Sequence, residues 1–207
     1  MNETHQAHAD LAFMEGLVEE GARAQTTAGA AFAAAGFLYG FQCLIQWAQI
    51  VGLIHLPDPV MLVFVILISV AFTVILTVLI WRGRKTTQHS VSTRAWGAAF
   101  GGVGLGNLVL CSVFGLFSWR QGSAEVWLLY GVAVCALQGA AWFVAAMMRR
   151  QLWLWLVSMG WYTTALSLGV LIAIQDLVSY ALVLGLALLF LMALPGVAMV
   201  QLAKQAR

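Results

Sequence analysis

The chain has 207 residues, of which 62% are hydrophobic and 9% charged, and its formal net charge is +2. Soluble domains carry roughly a quarter charged residues, so a water-facing globular surface is excluded. Long apolar runs broken by short charged segments indicate instead an all-α, polytopic bundle in lipid, with room for one domain.

Residues 1–27 carry five acidic side chains against Arg23 alone among Lys and Arg. A basic start followed by an apolar core is lacking, so no signal peptide is expected. Across residues 9–25 the spacing predicts a short amphipathic helix, with Leu11, Met14, Leu17, Val18 and Ala22 on one face and Glu15 and Glu19 beside it. Glu19 precedes Arg23 by four residues, the favourable order for a helical ion pair. An acidic polar face is not drawn to anionic lipid as a basic one is. This helix is therefore expected to pack against the protein's own basic loops or a protein partner.

The first span is predicted over residues 30–53. In the following turn, His55-Leu56-Pro57-Asp58-Pro59, Asp58 suits an N-cap and Pro59 the first helical position. Five more spans are predicted over 60–81, 95–118, 126–148, 152–174 and 178–202, the last capped by Asp176. Each is about 22–25 residues long, enough to cross a hydrocarbon core of about 30 Å. Trp81, Trp96, Trp119, Trp127, Trp153 and Trp155 stand at predicted span ends, where amphipathic rings favour the headgroups. Trp47, Trp142 and Trp161 lie deeper, between helices or against lipid. The domain organisation expected is an N-terminal segment over 1–27, a six-helix transmembrane domain over 28–203 and a tail over 204–207.

Basic residues orient these spans. Arg23, Arg82, Arg84, Lys85, Arg94, Arg149, Arg150, Lys204 and Arg207 fall on the side of both termini, and Arg120 alone on the other. The positive-inside rule then places both termini in the cytoplasm. Arginine-rich, lysine-poor usage with much Ala and Gly hints at a GC-rich bacterium, and so at a bacterial inner membrane. Arg94 precedes Gly104 by ten residues, as Arg150 precedes Gly160, so spans two and three could echo four and five.

The predicted spans contain no Asp, Glu, Lys, Arg or His. Proton relays and ion-coupled carriers depend on such residues, and membrane haem on histidines. Neither chemistry is expected, nor is any cofactor. Cys43, Cys111 and Cys135 fall in apolar runs without paired spacing, and His5, His8, His55 and His89 lie outside the spans, so no metal site is expected. Serine-hydrolase, metalloprotease and paired-carboxylate patterns are lacking, and no nucleic-acid partner is expected.

The strongest polar constellation is Gln42, Gln46 and Gln49 on the first span. At 100° per residue these share an arc of about 60°, and an amide facing lipid is costly. Two readings stay open. The face lines a polar cavity with Asn107, Gln138, Tyr162 and Thr163, or it makes interhelical hydrogen bonds to the same residues and Thr164. Ser69, Thr73 and Thr77 form a ladder that can bond back to its own helix. Gly36 and Gly40, then Gly97, Gly101, Gly102 and Gly106, then Gly131, Cys135 and Gly139 carry helix-packing spacing. Most of these should serve the bundle, and one set could serve a homo-oligomer. Pro195 should bend the last span, with Gly196 adding slack. Arg82, Arg84, Lys85, Arg94, Arg149 and Arg150 could contact anionic lipid, although topology alone demands positive charge there.

Three functional readings follow. The first is a non-enzymatic accessory, assembly or sensory subunit. The second is a small transporter or channel for a neutral or apolar solute, lined by the Gln42 face. The third is a lipid-modifying membrane enzyme.

Overall fold

The computed structural model describes residues 2–83 and 91–205. Its elements are α1 (Asn2–Ile50), α2 (Asp58–Gly83), α3 (Val91–Gln121), α4 (Ala124–Arg149), α5 (Leu152–Ala173), α6 (Leu177–Ala187), a π-helical segment (Leu188–Ala193) and α7 (Leu194–Gln205). Among the described residues there is no strand. Six helices are long and apolar enough to cross a membrane, α6 through α7 forming the sixth. The protein is an all-α, multi-pass membrane bundle.

The separate amphipathic helix expected at 9–25 does not exist as a separate element. α1 is continuous for 49 residues. At the expected boundary, the hydroxyls of Thr26 and Thr27 donate to the carbonyls of Ala22 (2.8 Å) and Arg23 (3.1 Å) of their own helix. Two polar residues that suggest a break therefore bond inside the helix and let it continue. The expected Glu19–Arg23 ion pair forms.

Turn chemistry explains the other boundaries. The amides of Val60 and Met61 reach the Pro57 carbonyl at 2.9 and 3.1 Å. α2 thus starts one residue earlier than expected, with Asp58 in its first turn, where the helix dipole favours a carboxylate. Ser123 caps α4 by accepting from the Glu125 amide. Arg150 closes α4 in the left-handed region (φ 52°), its N–H on the Ala146 carbonyl. Asp176 caps α6 as expected, accepting from the Ser179 amide at 3.0 Å.

The six spans pack as two rows of three. α2, α1 and the α6–α7 span form one row; α3, α4 and α5 form the other. The rows join where α5 meets α6, whereas among the described residues α2 and α3, at the opposite edge, make almost no contact. α4 and α5 form the most extensive pair outside α1, so the suggested echo between spans two–three and four–five is not repeated in packing. Between the rows lies the core, built on Trp142, Trp161, Leu154, Leu168, Met199 and Cys135, all fully buried.

Small residues decide how α1 meets the last span. A methyl at Gly36 would overlap the backbone of Ala193, and one at Gly29 would stand 2.7 Å from the Gly196 carbonyl oxygen. Gly40 faces Leu189, and Gly185 faces Cys43 and Leu44. Backbones approach this closely only where side chains are absent.

The π-helical segment follows from Pro195. A proline has no N–H for the carbonyl four residues earlier, here Leu191, and its ring crowds that carbonyl. The backbone widens by one residue, with the Leu194 amide bonding to Leu189, five residues back. Trp161 on α5 then donates its indole N–H to the Leu191 carbonyl at 3.2 Å. Pro195 therefore does more than bend the helix: it creates an acceptor that a buried tryptophan satisfies.

Candidate functional site

α1 runs antiparallel to α4. Arg149 donates to the Gln25 amide oxygen at 2.8 Å, and Phe32 contacts Trp142 with ring centroids 5.2 Å apart. Each contact moves seven residues along both helices, so another seven sets Tyr39 opposite Cys135. Gln42 then falls opposite the stretch of α4 between Tyr130 and Gln138. This is the middle of the α1 span.

Polar side chains collect at that level from four helices. Tyr130 on α4 donates its hydroxyl to Asn107 Oδ1 on α3 at 2.9 Å. Its hydroxyl also lies near Cys111 on α3 and Tyr39 on α1. The Tyr39 hydroxyl faces Ser69 of α2 as well as Cys111, and its ring packs edge-on against Phe72 of α2. Two further groups lack partners: the amide oxygens of Gln42 and Gln138 are buried without a hydrogen bond. Gln138 is only 8% exposed. One turn away on α4, Trp142 is 0% exposed and its indole N–H is likewise unpartnered. Since Trp142 touches both Phe32 of α1 and Phe100 of α3, the α4 face carrying Gln138 looks between α1 and α3.

The glutamine set divides. Gln42 belongs to this layer, and Gln46 is half-buried on α1. Gln49 instead holds the α1–α2 connector, donating to the Leu56 carbonyl at 3.2 Å while its own oxygen stays buried and unpartnered. Tyr162 packs its ring over Gly139. Thr163 is exposed and bonds back to Met159; Thr164 bonds back to Gly160. Tyr162, Thr163 and Thr164 thus serve α5 and its contact with α4. The ladder of Ser69, Thr73 and Thr77 bonds back along α2 at 3.0, 2.8 and 2.8 Å.

Of the basic residues, Arg82 is exposed at the end of α2 and Arg150 at the α4–α5 corner. Arg84 and Lys85 lie outside the described residues, as does the Arg94 side chain. Arg149 turns inward, and Gln25 passes the contact on by donating to the Met199 carbonyl at 3.1 Å. The Arg149–Gln25–Met199 chain clamps α4, α1 and α7 together at one end.

Sequence reasoning did not single out Tyr39, Tyr130, Tyr180 or Ser158. Tyr180 donates to the Leu128 carbonyl at 2.8 Å and Ser158 to the Gly139 carbonyl at 2.9 Å. The signal was a lone hydroxyl in an apolar span, which must find an acceptor. A groove of about 330 Å³ runs between α1 and the π-helical segment, lined by Phe37, Leu38, Phe41, Leu44 and Leu189. Among the described residues no group of three or more His, Cys, Asp or Glu could hold a metal ion. The layer offers hydrogen bonds and apolar walls, which suit binding. Compared with known protein families, curated proteins and solved structures, the chain matches none of them.

Proposed function

We propose that this protein is a non-catalytic accessory, assembly or sensory subunit of a bacterial-type inner membrane, docked to a partner protein through the N-terminal arm of α1. The observation that carries this reading is the length of α1. Its 49 residues measure about 73 Å at 1.5 Å per residue, more than twice a hydrocarbon core of about 30 Å. Burial along α1 reaches back to Ala22 and Glu20, and on the turns before them Phe13 to Gly16 and Glu19 are exposed. On that arm Phe13 and Met14 are 63% and 62% exposed beside the exposed Glu15 and Glu19. Large apolar side chains held on a rigid acidic rod suit a partner better than water.

The basic residues support an arm on the cytoplasmic side, nine lying at the end of both termini against one at the other. A solute path has less support. The groove between α1 and the π-helical segment is lined by apolar side chains alone and includes none of the glutamines expected to line such a path.

The test is to place a photo-crosslinking residue at Phe13 or Met14 and compare the captured proteins with those from a crosslinker at exposed Val63 on α2. A discrete product specific to the arm supports the reading. An identical product set from both positions, together with an unchanged set of co-purifying proteins after deletion of residues 2–19, overturns it.

A further inference from the structure

We propose, resting on the docking reading above, that what binds the α1 arm is a basic amphipathic helix of another protein, seated on the exposed turn from Phe13 to Gly16 with its cationic side chains against Glu15 and Glu19. Shape and charge select this occupant independently.

Shape comes first. Phe13, Met14, Glu15 and Gly16 are all exposed, and four successive residues pass right round a helix of about 3.6 residues per turn. At that turn, therefore, every side of α1 is open. A methyl at Gly16 would meet nothing within 4 Å, and the same holds at Gly21. Phe13 and Met14 stand 63% and 62% exposed. Aromatic residues and Met are enriched at protein interfaces, Met because its unbranched chain fits irregular surfaces. Gly16 lies one turn from Phe13 and lets a second backbone come close beside that ring. Large side chains next to a small one make a ridge beside a groove, the surface that a second helix packs on.

Charge then fixes the chemistry of that helix. Glu3, Asp10, Glu15, Glu19 and Glu20 precede Arg23, and no Lys or Arg does. Arg23 is engaged by Glu19, and Glu15 has no basic partner among the described residues. Anionic lipid fits poorly, because the negative potential of a cytoplasmic leaflet repels acidic side chains. A second copy would set the same carboxylates against one another, and like charges across an interface are costly. A neutral helix would cover Phe13 and Met14 but strip water from Glu15 and Glu19 without replacing it. A basic amphipathic helix meets both demands. Its apolar stripe covers the two large side chains, while Lys or Arg stems lie alongside them and carry their charged heads to the carboxylates at the rim.

The experiment places a photo-crosslinking residue at Met14 of the full chain in cells and sequences the peptides joined to it by mass spectrometry. The adduct should fall on a segment of another protein with helical apolar spacing and net positive charge. Glu15→Gln should lower its yield by about twofold and Glu15→Lys by about fivefold, the range of one exposed ion pair. An adduct from a crosslinker at exposed Val63 on α2 should not respond to either change. Reversing one Lys or Arg of the sequenced segment to Glu should restore the yield with Glu15→Lys and lower it with the native arm. A neutral or acidic segment, or a yield indifferent to both Glu15 variants, would overturn the basic helix while leaving docking itself in place. Adducts to lipid or to the arm of a second copy would overturn it as well. An adduct set identical to that from Val63 would remove the docking reading, and the basic helix with it.

Discussion

Replacing Trp161 with Phe tests whether the break in the last span is held by a single donor. Trp161 is fully buried, and its indole N–H reaches the Leu191 carbonyl at 3.2 Å. Pro195, four residues on, has no N–H to offer that carbonyl. Trp161→Phe keeps an aromatic ring but removes the indole donor from that carbonyl, a loss of about 1–3 kcal/mol for a buried acceptor. Lost ring contacts add roughly 1 kcal/mol. The combined loss should be about 2–4 kcal/mol, measured by reversible unfolding in mixed micelles. Pro195→Ala restores an amide that can serve Leu191 directly, provided the π-helical segment anneals to an ordinary helix. In that background Trp161→Phe should cost about 1–1.5 kcal/mol less, near the upper end seen for hydrogen bonds between membrane helices. A double-mutant cycle isolates this coupling from the packing loss, since the smaller ring is common to both arms. A coupling below about 0.3 kcal/mol would refute the idea that Trp161 compensates for the proline.

Three further outcomes follow from individual contacts. Gly36→Leu should cost about 3 kcal/mol or prevent the native packing of α1, because its side chain meets the Ala193 backbone; Gly101→Leu, in open space, should change stability by less than about 0.5 kcal/mol, and the same unfolding assay compares them. Ser158→Ala removes a buried interhelical bond and should cost about 0.6 kcal/mol, whereas Thr73→Ala, whose hydroxyl bonds within its own helix, should be near neutral. Ser179 donors, the hydroxyl first and then the amide, hold the Asp176 carboxyl below the usual carboxylate range. Its folded value is lowered, so its stabilising cap is complete above the ordinary value of about 3.9 and lost as pH falls through the folded one. Asp176→Asn should therefore flatten the acid limb of the stability profile, and an unchanged limb would count against the cap.

The spans were legible because lipid leaves few alternatives. A run of about 22 apolar residues must hydrogen-bond its backbone internally, and charge or turn residues mark where it may stop, as Asp176 does at α6. The continuity of α1 was not legible. Thr26, Thr27 and Gly29 resemble a boundary, but each residue has another use: two hydroxyls bond back along the helix, and the glycine admits the Gly196 carbonyl. For the candidate site, the glutamine face was legible as a demand for partners, but the partners were not. Asn107 is taken by Tyr130, which depends on register between α3 and α4, and Gln49 by the Leu56 carbonyl, which depends on the path of the α1–α2 connector.

The glycines show why register matters. Gly36–Gly40, Gly97–Gly101 and Gly131–Cys135–Gly139 all step by four, yet their uses differ. At Gly36 a backbone crosses; at Gly131 and Gly139 the side chains of Tyr180 and Tyr162 fill the space; at Gly97 and Gly101 nothing does. What separates them is the partner helix. The last span is interrupted by a proline and carries Gly185, Ala193 and Gly196 toward α1, so two small faces meet and the backbones close. α4 offers glycine to aromatic side chains from α5 and α6, and those contacts are side chain into backbone. α3 leaves Gly97, Gly101, Gly102 and Gly104 in open space, while its Gly106 and Gly115 meet Leu137 and Trp127 of α4. A small face therefore specifies how near a neighbour can come, and only the neighbour's own surface determines whether it does.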